Sequence, residues 1–70
     1  MSLSFDTLRT GKKYYLQNYG EKTEFEIMKV TGDYDFLIKD LLTLDTYLLS
    51  DLVKYGKGDD YALWELEKTT

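Results

Sequence analysis

Five glycines, at positions 11, 20, 32, 56 and 58, set the turns of this chain, which contains no proline. Glycine reaches backbone angles closed to other residues, so each one is a natural turn point. Between them lie segments of strand length and one glycine-free stretch from Asp33 to Tyr55. From Lys12 onward, Tyr14 and Leu16 fall on one side and Tyr15 and Gln17 on the other, which is the alternation of a β-strand. Asn18-Tyr19-Gly20-Glu21 then reads as a turn. In the run from Thr23 to Val30, Phe25 and Ile27 share a face, but Met28 and Val30 take the opposite parity. A slip of one residue is what a β-bulge or sharp bend produces, and bent strands are how small barrels close. Thr31-Gly32-Asp33 turns the chain again, Tyr34, Phe36 and Ile38 alternate with Asp35, Leu37 and Lys39, and Tyr61 to Leu66 supplies a last strand. Residues 1–10 read as an N-terminal arm with one helical turn, capped by Ser4 and placing Phe5 and Leu8 on one side.

The middle of the chain admits two readings. On a helix, Ile38, Leu41, Leu42, Leu48, Leu49, Leu52 and Val53 fall in one arc. That would give an α+β fold with a small sheet and one helix at about 35–55. Against it, Asp45 interrupts the apolar arc, and Thr43, Thr46 and Tyr47 are indifferent helix formers. The favoured reading is a strand ending at Asp40, a turn through Leu41 to Leu44, a return strand from Asp45 to Leu49, and a short 3-10 turn over Ser50 to Val53. The expected fold is therefore all-β, a five-stranded barrel with a 3-10 turn before its last strand.

Seventy residues make one domain, and residues 11–67 would form the barrel. A core this small yields only about 3–5 kcal/mol of net stability. With no cysteine to crosslink it, the packing falls to 11 aromatic side chains, seven of them tyrosine. Tyr14, Leu16, Phe25, Ile27, Val30, Phe36, Ile38, Leu49, Leu52, Val53 and Leu63 are the candidate interior. The absence of both histidine and cysteine leaves no thiol chemistry, no imidazole, and no zinc site of the usual kind. The net charge is −4, and the acidic excess lies in residues 33–70, with nine acidic and four basic side chains. Nucleic-acid binding calls for a basic face, and only Arg9, Lys12 and Lys13 cluster, so nucleic acid is not the expected partner. No apolar run approaches the ~20 residues of a membrane span, and the expected location is the cytoplasm.

The strings Tyr15-Leu16-Gln17-Asn18-Tyr19-Gly20-Glu21, Lys39-Asp40 with Tyr47 and Leu49, and Ser50 to Tyr61 resemble those of small uncharacterised bacterial proteins with SH3-like (Tudor-like) barrels. The resemblance covers residues 11–67 and implies a fold without an activity. It departs from the peptide-binding SH3 domains of signalling proteins: there is no Ala-Leu-Tyr-Asp-Tyr string, no paired tryptophans, and no proline near the last strand.

Carboxylates alone can serve acid–base chemistry when two face each other across a cleft. The candidate pairs, Asp33 with Asp35, Asp59 with Asp60, and Glu24 with Glu26, sit where turns and the wet face of a strand would place them. Neither acidic turn has the spacing of a calcium loop, and Gly56-Lys57-Gly58 is too short to cradle a phosphate. No catalytic residue, metal or cofactor is expected. What remains is a surplus of aromatics at the rim. Tyr15, Tyr19, Tyr34, Tyr55 and Trp64 are the candidate partner-binding residues, since ring faces attract cations by about 0.5–2 kcal/mol per contact. The expected function is a non-catalytic protein-interaction module, monomeric or weakly dimeric, that binds a protein or peptide. The alternatives are a small hydrolase working through carboxylates and a structural assembly subunit.

Overall fold

The computed structural model describes residues 3–32 and 35–66. Asp33 and Tyr34, and with them one candidate binding residue, lie outside the described residues. Among the described residues five strands form one antiparallel sheet: β1 (Lys13–Asn18), β2 (Glu21–Val30), β3 (Phe36–Asp40), β4 (Thr46–Leu48) and β5 (Ala62–Glu65). Two 3-10 turns accompany them, η1 (Phe5–Thr7) and η2 (Leu49–Val53). The middle of the chain is thus strand, turn, strand and 3-10 turn, and no helix occupies 35–55 apart from η2. The strand order is β4-β3-β2-β1-β5. No ladder joins β4 to β5 among the described residues, so the sheet is open and hydrogen bonding does not close a barrel.

The β1–β2 turn is set by Tyr19 and Gly20, both at positive φ (51° and 78°). Such angles match the twist of paired strands in a two-residue hairpin. They fix the register from Asn18↔Glu21 back to Lys13↔Glu26. The parity slip appears as a register shift between Ile27 and Lys29, which leaves Met28 without a partner on β3.

Inward residues of the sheet build the core: Tyr14, Leu16, Phe25, Ile27, Phe36, Ile38 and Leu63, joined by Leu49 from η2. The hydroxyl of Tyr14 accepts a bond from the Arg9 N–H at 3.0 Å, so its ring is buried without stranding a polar group. Three interior expectations need correction. Val30 is 59% exposed at the end of β2, on the far side of the register shift. Leu52 and Val53 are only partly buried, packing on the core from η2. Leu8, just past η1, is buried instead, and Phe5 meets Phe36 edge to face at 6.5 Å between ring centroids. Leu8 thus belongs to the core, with Leu3 and Phe5 packed partly buried against it.

Candidate functional site

Three carboxylates close the loops of this sheet, each gathering N–H groups that the strands leave over. Asp60 accepts bonds from the backbone N–H of Tyr19 (2.8 Å) and Gly20 (2.7 Å), and so clamps the tip of the β1–β2 hairpin to the loop before β5. Asp40 accepts from the N–H groups of Leu42 (2.8 Å) and Thr43 (3.1 Å) and from the Tyr47 hydroxyl (2.9 Å), shaping the β3–β4 turn. Asp35 accepts from the N–H (3.1 Å) and hydroxyl (2.7 Å) of Ser50 and caps η2 from a distance in sequence.

These partners set the ionisation of the groups. The backbone N–H of Gly20, with that of Tyr19 and the side-chain amide of Gln17 behind it, outweighs desolvation and holds Asp60 below the usual carboxylate range. At Asp35 and Asp40 desolvation is the largest influence and acts upward, but the combined hydrogen bonds overcome it and both are lowered. Burial first, then the bond to Asp40 and the charges of Asp40, Asp45 and Asp51, push Tyr47 up to about 12. Carboxylates with depressed folded values contribute stability that is complete above the unfolded value near pH 4 and is lost as pH falls through the folded values. The urea midpoint is therefore expected to stay level from about pH 7 to pH 5 and to drop steeply below about pH 4. In Asp60→Asn the neutral-pH midpoint is expected to be lower and the acid drop shallower; an acid limb of unchanged depth would show that Asp60 does not hold the hairpin tip as an anion.

The structure divides the sequence-predicted binding residues into two groups. Tyr15 and Trp64 are cross-strand partners on the outer face of β1 and β5, with rings stacked at 4.4 Å and 21°. Tyr19 and Tyr55 belong to the hairpin tip, where the Tyr19 hydroxyl donates to the Tyr55 carbonyl at 3.0 Å. Tyr19 is a fold contact there: its ring lies over Gly58, where a Cβ would stand 2.8 Å from the ring carbon Cδ1. The Tyr55 ring is 81% exposed, and its own neighbour Lys54 reaches to 5.3 Å of the ring centre. Tyr61 is likewise attended by Lys57, whose Nζ lies 4.8 Å from that ring and 5.6 Å from Phe5. Those aromatic faces hold the chain's own cations.

Beside Tyr15 the outer surface sinks into a groove of about 300 Å³, lined by Tyr15, Lys22, Thr23, Glu24, Asp40 and Leu42. Glu24 is the cross-strand partner of Tyr15 on β2. The Ile27 N–H bonds the Lys12 carbonyl at 3.0 Å, so by alternation the Tyr15–Glu24 rung carries no hydrogen bonds and brings its side chains closest. On the far side of Asp40 a second, shallower concavity of about 440 Å³ is lined by Asp40, Thr43, Asp45, Thr46 and Tyr47. The groove residues Lys22, Thr23, Glu24, Asp40 and Leu42 were not foreseen as a site. For three of them a signal existed: a two-residue turn at Tyr19-Gly20 fixes the hairpin register and places residues 22–24 beside Tyr15. Asp40 and Leu42 arrive through the β2–β3 pairing, whose bulge the parity slip marks but whose register it does not set.

No family model, curated protein or solved structure matches the chain in the three comparisons made. The site is thus defined by its geometry alone. Among the described residues no helix is long and apolar enough to cross a membrane.

Proposed function

We propose that this chain is a non-catalytic protein-interaction module of the SH3-like (Tudor-like) kind found in small bacterial proteins. It works in the cytoplasm and seats a segment of another protein in the groove beside Tyr15. The strand order β4-β3-β2-β1-β5 and the 3-10 turn before the last strand support the class. The observation that carries the function is the Tyr15–Trp64 stack, of which Tyr15 lines the groove: two large rings on the outer face, with Trp64 still 40% exposed, in a chain whose core leaves them out. Aromatic pairs of this sort anchor recognition because they present a large, rigid apolar face at low entropic cost.

A random-peptide display library selected against the intact protein tests this. Peptides selected by the parent chain are expected to lose binding to Tyr15→Ala by more than about tenfold, the scale of an interface anchor. The same peptides should keep their affinity for Tyr55→Ala. Equal binding of Tyr15→Ala, with its urea midpoint near that of the parent, would overturn the proposal.

A further inference from the structure

We infer that the segment this groove accepts is anchored by a single arginine side chain, whose guanidinium lies against the Tyr15 ring and pairs with the Glu24 carboxylate. The inference rests on the interaction-module reading and names the chemistry of the partner. Glu24 is exposed on the outer face of β2 and forms no ion pair with a described residue, the salt bridge among these being Lys12 with Glu65 at 3.4 Å. Trp64 covers one side of Tyr15, and the groove opens beside the same tyrosine. An arginine head group satisfies both features together, since it is planar, stacks on aromatic faces, and presents a fork of N–H donors that matches a carboxylate. Leu42, 89% exposed at the groove wall, offers apolar cover for the methylene stem.

Charge favours the same ligand. Glu24 and Asp40 in the groove outnumber Lys22, and Asp45 in the neighbouring concavity extends the negative field. Asp40 contributes to that field from the turn, where its Oδ1 accepts from the Leu42 and Thr43 N–H groups and its Oδ2 from the Tyr47 hydroxyl. Lys22 lies one pleat further along β2, opposite Gln17. A positive charge there repels a second cation, so the fitting segment carries one arginine rather than a basic run.

The test is an amide-shift titration of the isotope-labelled protein with three blocked tripeptides, Gly-Arg-Gly, Gly-Lys-Gly and Gly-citrulline-Gly. The arginine peptide is expected to shift the amides of Thr23, Glu24 and Leu42. It should bind about tenfold more tightly than the lysine peptide, as bidentate pairing and stacking imply. Citrulline, which keeps the shape and loses the charge, should not saturate. Glu24→Gln should bring arginine down to the citrulline level while leaving the urea midpoint in place. Equal binding of lysine and arginine, of citrulline and arginine, or of the parent and Glu24→Gln overturns the inference, as does the absence of any shift at the groove. The library selection separates this from the broader reading: selected peptides that require Tyr15 but contain no arginine sink the arginine anchor and leave the module standing.

Discussion

Asn18→Ala is expected to cost about 2–3 kcal/mol, the scale of removing the one side chain that partners three partly buried backbone groups. For a core that yields about 3–5 kcal/mol in total, that is most of the stability. Asn18 ends β1, is only 4% exposed, and is the sole buried polar side chain among the described residues. Its amide nitrogen donates to the carbonyls of Leu52 (3.2 Å) and Gly56 (3.0 Å), and its oxygen accepts from the N–H of Gly58 (2.8 Å). One side chain thus serves three backbone groups in a connection that has no sheet ladder of its own. Alanine strands all three, and the loop from η2 to β5 keeps only the ties that Asp60 and the Tyr19 hydroxyl make to the first hairpin. Urea denaturation followed by Trp64 emission measures the effect. A midpoint within error of the parent would show that water replaces the amide at no cost. Asn18→Asp gives a second check: it can still accept from Gly58, but at neutral pH it sets a carboxylate against two carbonyl oxygens, so it should recover nothing relative to alanine.

Phe25→Ala is expected to cost about 3–5 kcal/mol, the range for truncating a buried aromatic, and to leave the chain largely unfolded at 25 °C. Phe25 has no exposed surface and lies on the central strand β2. It stands directly opposite Tyr14 on β1 and Asp40 on β3, with its ring centroid 6.1 Å from that of Tyr14. Removing the ring opens a cavity where the ladders of both neighbours meet. Loss of near-ultraviolet dichroism and a red-shifted Trp64 emission would report unfolding. Phe25→Leu, which refills most of the volume, is expected to remain folded at a cost of about 1–2 kcal/mol. If alanine at this position leaves the midpoint unchanged, the core is not organised around β2.

Some of this molecule was legible before folding. The alternation of Tyr14 and Leu16 against Tyr15 and Gln17 announced β1, and its face assignment holds, with the first pair buried and the second outward. The parity change after Ile27 announced the bulge, because side-chain direction in a strand has a period of two and one extra residue must show. Leu49 to Val53 form a 3-10 turn and not part of a long amphipathic helix, and the threonines and Tyr47 before them explain why the apolar arc does not form one. The prominence of Tyr15 and Trp64 was also visible, although their pairing was not.

The roles of the polar residues were not legible. Asn18 looked like an ordinary turn residue, and Asp60 like one half of an acidic turn. Each acts across some 40 residues of chain, on Gly58 in the first case and on Tyr19 and Gly20 in the second. Sequence periodicity reports which way a side chain points relative to its own strand, so the amino-acid sequence by itself determined the strands, the bend and an all-β chain. It carries no measure of which loop comes to rest on which hairpin. That was decided by tertiary structure, because a buried hydrogen-bonding group takes whatever partner the packing brings within about 3 Å. The same packing left the sheet open rather than closed and placed Glu24, Asp40 and Leu42 around Tyr15.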